Sequence, residues 1–198
     1  MSATGPVETE IKLAVPDVES AIRRIESLGF VRHKPRVFEA NSVFDTPAGD
    51  LRSAGQLLRL RLAGDRVVLT WKGPEISGGV HKSRPETEVD VSSFDQCELL
   101  LRSLGYQLVF RYDKYRTEYS DPANGGIATV DDTPIGAFAE LEGEASWIDA
   151  TATAMGFTPA DYITKSYGRL YQEYCGKHLI TPGFMLFSAT GENLTQEK

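Results

Sequence analysis

Residues 7–13 read Val7-Glu8-Thr9-Glu10-Ile11-Lys12-Leu13. Val7, Thr9, Ile11 and Leu13 fall on one side and Glu8, Glu10 and Lys12 on the other, and a period of two is the mark of a β-strand. Behind it, Val18, Ala21, Ile22, Ile25 and Leu28 recur at helical spacing, with Asp17 as N-cap and Gly29 as the stop. The same plan returns twice. Glu86-Thr87-Glu88-Val89-Asp90-Val91 is followed by a helix over 93–104 that ends in Gly105-Tyr106, and Glu140-Leu141-Glu142 by a helix over 146–155 that ends in Gly156-Phe157. The three copies are irregularly spaced, which excludes a solenoid and predicts one sheet visited repeatedly by strand-helix units.

Further strands are predicted at 37–44, 57–62, 66–72, 109–119 and 127–130, with Gly64-Asp65 as a hairpin turn and a last helix over 159–175. No linker divides the chain, so residues 1–182 read as one domain and 183–198 as a loosely ordered tail. The 28 Asp and Glu outnumber the 21 Lys and Arg, for a net charge of -7, which argues against a nucleic-acid partner. No apolar run approaches the roughly 20 residues of a membrane span, and the start Met-Ser-Ala-Thr-Gly-Pro does not resemble a leader. Cys97 and Cys175 suggest neither a disulfide framework nor a zinc site, and a cytoplasmic protein is expected.

The polar strand faces carry the functional signal. Glu8, Glu10 and Lys12; Arg59 and Arg61; Arg84, Glu86, Glu88 and Asp90; Lys114, Arg116 and Glu118; and Glu140 and Glu142 all stand two apart, while Leu58, Leu60, Leu62, Tyr115 and Tyr119 occupy opposite faces. One such strand is an ordinary solvated sheet face. As a set, the faces are almost wholly ionised. Carboxylates at i and i+2 lie about 6.7 Å apart and repel by about 0.6 kcal/mol in water but about 2.5 kcal/mol at an effective dielectric of 20. Three such pairs on one enclosed face call for cations. Oxygen-only donors without a His or Cys cluster favour Mg²⁺ or Mn²⁺, and clustered guanidinium groups suit phosphate oxygens. There is no P-loop motif, and Trp71, Tyr112 and Tyr119 are expected to pack beneath the helices.

The E-x-E-x-K strand at Glu8, Glu10 and Lys12, the turn Phe44-Asp45-Thr46-Pro47, Leu58-Arg59-Leu60-Arg61, Trp71-Lys72-Gly73-Pro74, Lys114-Tyr115-Arg116 and the run from Val130 to Glu142 together resemble the CYTH family of triphosphate tunnel metalloenzymes. The similarity runs in order over about residues 7–175. It implies an α+β fold, an eight-stranded antiparallel β-barrel forming a tunnel with helices packed outside, a triphosphate-bearing small molecule as partner, and the possibility of a homodimer. By the same resemblance Glu8, Glu10, Asp131, Glu140 and Glu142 face metal. Lys12, Arg59, Arg61, Lys72, Arg84, Lys114 and Arg116 line a phosphate wall. Lys165 is presented to the phosphates by a C-terminal helix that plugs the tunnel, and Glu86 and Glu88 orient cations, hold a second metal or serve structure. Glu8, Glu10, Lys12, Glu142 and Lys165 are the expected catalytic group. The activity expected first is metal-dependent hydrolysis of inorganic triphosphate or an organic triphosphate such as thiamine triphosphate or a nucleoside triphosphate. A class IV adenylate cyclase and a noncatalytic polyphosphate-binding module are the alternatives.

Overall fold

A computed structural model describes residues 5–76 and 78–188. Eight strands form in chain order, β1 (Val7–Val15), β2 (Val31–Asp45), β3 (Leu57–Ala63), β4 (Arg66–Lys72), β5 (Lys82–Val91), β6 (Gln107–Ser120), β7 (Ile127–Thr133) and β8 (Gly136–Glu142). They close into one barrel in the order β1-β5-β4-β3-β2-β6-β7-β8, with every neighbouring pair antiparallel. Closure leaves no open sheet edge, and the strand period then sorts each residue to the inside or the outside. The helices are α1 (Val18–Ser27), α2 (Asp50–Ser53), α3 (Phe94–Ser103), α4 (Ala145–Met155) and α5 (Tyr167–His178), so the fold is the α+β barrel expected.

Helices cover the apolar outer faces. Ile11 and Leu13 of β1, with Val130, Ala139 and Leu141, pack against Ala21 and Ile25 of α1 and Ile148, Ala152 and Met155 of α4. Phe44, Leu60 and Val67 meet Cys97 and Leu101 of α3. The predicted caps are in place, with Asp17 accepting from the Ser20 amide at 2.7 Å and Ser93 from that of Gln96 at 3.3 Å. Between β3 and β4, Gly64 takes φ 59°, the left-handed conformation that lets Ala63 pair with Arg66 across a two-residue turn. Among the described residues no helix is long and apolar enough to cross a membrane.

Three expectations change. β2 begins at Val31, because its ladder to β6 continues through register shifts on both sides of Lys34 that a strict alternation cannot show. The single helix expected over 159–175 divides into a 3₁₀ turn, Pro159–Asp161, and α5. Between them Ile163 exchanges two backbone hydrogen bonds of 2.9 Å with Lys12, filling the side of β1 beyond Glu10, where its pairing with β5 stops. Of the tail expected over 183–198, residues 189–198 lie outside the described residues, and within the described part Met185 is docked while Gly183 and Phe184 are exposed. Met185 is 0% exposed and bonds to the Arg111 carbonyl at 3.0 Å and the Asp113 amide at 2.9 Å.

Candidate active site

The inward residues of the barrel, with Tyr167 of α5, enclose a tunnel of about 570 Å³. Its acidic side follows from strand order. The three strands that open the repeated sequence units, β8, β1 and β5, are barrel neighbours, so their carboxylate pairs stand side by side: Glu10 lies opposite Glu142, Lys12 opposite Glu140 and Glu8 opposite Arg84. Repulsion is met in two ways. Glu10 accepts from Lys82 at 2.8 Å and Lys12 at 3.2 Å, and Lys12 also pairs with Glu140 at 3.3 Å. Burial alone raises the Glu10 and Glu140 pKa values. These cations, and Arg116 at Glu140, outweigh it and hold both well below the ordinary carboxylate range.

The second group has fewer cations. Lys72 serves both Glu8, at 2.5 Å, and Glu86, at 2.6 Å. Desolvation and a hydrogen bond shared with Glu8 push Glu86 up to about 7, and desolvation and the Glu8 charge push Glu142 up to about 8. Glu142 is exposed to solvent, so water tempers the energetic weight of its shift. Glu8 keeps its charge: its shared hydrogen bond with Glu86 and the Lys72 charge overcome the effect of burial.

The cationic side is built by β3 and β6. Arg59 donates to Thr70 at 3.1 Å, Glu88 at 3.3 Å and the Tyr112 hydroxyl at 3.4 Å. Arg61 reaches Glu88 at 3.2 Å and Glu39 at 3.5 Å. Lys114 bonds Asp131 at 2.9 Å, and Arg116 grips Asp131 through Nε at 2.7 Å and Nη2 at 2.6 Å while touching Glu140 at 2.5 Å. The Nε groups of Arg59 and Arg61 are buried without a hydrogen-bond partner, which suits them to an anion entering the tunnel.

The structure thus brings together Glu8, Glu10, Lys12, Arg59, Arg61, Lys72, Glu86, Lys114, Arg116, Glu140 and Glu142 on one cavity. Three expected residues stand apart from their assigned tasks. Arg84 faces inward but spends its guanidinium on the backbone carbonyls of Gly55, Lys72 and Gly73. Asp131 is 0% exposed and bonded to Lys114, Arg116 and Tyr167, so its oxygens are turned to these donors and it does not line the cavity. Lys165 lies outside the tunnel, half exposed and paired with Glu173 at 2.8 Å, because α5 starts after it and turns Tyr167 inward. Tyr112 packs beneath α5 against Tyr167 and Tyr171, as expected, and also lines the cavity. Sequence reading missed Lys82 and Glu39. The parity of Arg84 and Glu86 extended back two residues points to Lys82; Glu39 is a lone acid in a strand of mixed character and gives no comparable signal.

A CYTH domain model matches residues 7–166. The chain belongs to the CYTH family. It is 29% identical over 137 residues to MJ0240 of Methanocaldococcus jannaschii, named as a candidate adenylate cyclase, covering 69% of this chain and 76% of that protein. It is likewise 29% identical over 188 residues to adenylate cyclase CyaB of Aeromonas hydrophila, covering 85% and 91%. The structure of HpAC1 from Hippeastrum, described as revealing a dominant triphosphatase activity, superimposes with a TM-score of 0.63 at 19% identity, covering 84% of this chain and 96% of that one. CYTH proteins are generally metal-dependent and bind triphosphate substrates. In this CYTH protein the donors suit a hard divalent ion: Glu8, Glu86 and Glu142 offer only oxygen, and the raised pKa values of Glu86 and Glu142 mark a place short of positive charge. Among the described residues no group of three Asp, Glu, His or Cys side chains is already arranged to hold a metal ion.

Proposed function

We propose that this CYTH protein is a metal-dependent triphosphatase acting on inorganic triphosphate or an organic triphosphate. The observation that carries the reading is the convergence of Lys12, Arg59, Arg61, Lys114 and Arg116 beside the cation-poor group of Glu8, Glu86 and Glu142 in one tunnel. Arginine forks and ammonium groups bind phosphate oxygens and are oriented before substrate arrives, so they stabilise charge that develops on the leaving phosphate without reorganising. Glu8 and Glu142, joined by Glu86, are the residues that would hold Mg²⁺ or Mn²⁺. Glu10, Glu140 and Asp131 are assigned instead to the cationic network, since each is paired with two cations, whereas Glu8 and Glu86 share the single Lys72. A bound divalent ion supplies neutralisation of phosphate charge and a more acidic water.

The names of the two relatives at 29% identity favour a second reading, a class IV adenylate cyclase. The tunnel would then direct the ribose 3′-hydroxyl of ATP at its α-phosphorus, releasing pyrophosphate. The test is to offer the purified protein inorganic triphosphate, thiamine triphosphate and ATP with Mg²⁺ or Mn²⁺. Orthophosphate release is expected. Pyrophosphate and cyclic AMP from ATP would replace hydrolysis by cyclisation, and tight triphosphate binding with no turnover would make the protein a polyphosphate-binding module.

A further inference from the structure

We infer that Tyr167 is a positioning residue for the cationic wall: its hydroxyl, donated to Asp131, fixes the carboxylate that aims Lys114 and Arg116. The inference deepens the triphosphate reading and rests on it for its kinetic consequence. Asp131 is 0% exposed, and three donors converge on its Oδ2: Lys114 Nζ at 2.9 Å, Arg116 Nη2 at 2.6 Å and the Tyr167 hydroxyl at 2.6 Å. Arg116 Nε holds Oδ1 at 2.7 Å. An ionised carboxylate offers about four acceptor sites, and four hydrogen bonds are made here, three of them on Oδ2. Tyr167 is the uncharged member of the set. It adds a bond without adding positive charge beside Lys12, Lys114 and Arg116, and burial together with the Asp131 and Glu140 charges raises its pKa, keeping it a donor.

The ring acts on the same cations. Lys12 Nζ and Lys114 Nζ lie 5.4 and 5.2 Å from its centroid, within reach of a cation–π attraction. The ring is braced by Tyr112 at 6.0 Å and edge-on by Phe138 at 5.6 Å. Ser166, the residue before it, caps α5 by accepting from the Arg169 amide at 3.3 Å. One turn on, Tyr171 donates to the Phe184 carbonyl at 3.2 Å, next to the docked Met185. Without the hydroxyl, Lys114 keeps Glu39 at 3.6 Å as a competing partner and loses part of what fixes its direction.

Tyr167→Phe removes the hydroxyl and keeps the ring. The KM for inorganic triphosphate should rise about tenfold, the size of one hydrogen bond to a charged group, with kcat within about twofold. If the effect passes through Asp131, the Tyr167→Phe/Asp131→Asn double variant should have a KM no higher than Asp131→Asn alone. An unchanged KM, a lower melting temperature as the sole effect, or additive effects in the double variant would overturn the inference. A readout without substrate separates it from the triphosphate reading: the NMR resonance of the Lys114 ammonium should move in Tyr167→Phe. If the wild-type protein neither binds nor turns over triphosphate, the functional reading falls, and this resonance still decides. A shift supports the positioning role, and an unmoved resonance overturns it.

Discussion

At the scale of single residues, the tunnel separates carboxylates that look alike in sequence. Glu10 is buried between Lys12 and Lys82. Glu10→Gln takes the paired carboxylate from Lys82 and leaves Lys12 with Glu140 alone, and this should cost about 3 kcal/mol of stability, read from chemical denaturation. Glu142 is held up to about 8 and carries a proton near neutrality. Glu142→Gln should therefore leave the melting temperature in EDTA unchanged or higher, while metal-dependent turnover falls by at least about a hundredfold, the range reported for loss of one preorganised group. Equal stability losses in both variants would mean that the division between them is wrong. Lys165→Ala should keep turnover within about twofold, since an exposed ion pair is worth about 0–1 kcal/mol. Sequence parity identified the inward set, but could not say which acids were already neutralised, because that depends on side chains from other strands.

Among the elements, α5 and the segment after it decide how the tunnel ends. Tyr167, Tyr171 and Cys175 of α5 pack with Tyr112, Phe138 and Met185. Met185→Ala removes a fully buried side chain, and should destabilise the protein by about 2–5 kcal/mol, measured by urea unfolding; a loss below about 0.5 kcal/mol would show that the segment is not part of the cooperative unit. Sequence located this helix but drew its start too early. Thr158 and Asp161 cap the short turn, Ser166 caps α5, and the extended stretch between them exists because β1 has free backbone groups beyond Glu10. The docked tail was hidden for the same reason. The stretch containing Met185 has no strand periodicity of its own, and its partner atoms lie on β6.

For the molecule as a whole, buried charge ties stability to pH and metal. Glu86 and Glu142 stand near 7 and 8, above their ordinary value of 4.5. Their contribution is fully present below 4.5 and is lost as pH rises through 7 to 8. Glu39 is held at about 2, where desolvation is outweighed by Lys114 and Arg116, and Glu10 is also held low. Their contribution is present above 4.5 and is lost as pH falls toward 2 and below. Thermal unfolding in EDTA should therefore peak at about pH 4.5 to 5 and decline from there toward pH 8. Mg²⁺ should flatten the alkaline side, because a divalent ion replaces the protons on Glu86 and Glu142. A melting temperature that climbs steadily to pH 9 without metal would contradict this arrangement.

The alternation of residues 7–13 and its two later copies determined that strands with one ionised and one apolar face would pair, that helices would cover the apolar faces, and that acids and cations would share an interior. These follow from a period of two and from the cost of exposing apolar surface, both local to each segment. Barrel closure decided the rest. By placing β8, β1 and β5 side by side it set Glu142 against Glu10 and Glu140 against Lys12. It also left Glu8, Glu86 and Glu142 short of positive charge, and brought Tyr167 under Lys12 and Lys114. Electrostatic neutralisation acts across space between residues as far as 128 apart in the chain, as from Lys12 to Glu140, and only the closed fold fixes those distances.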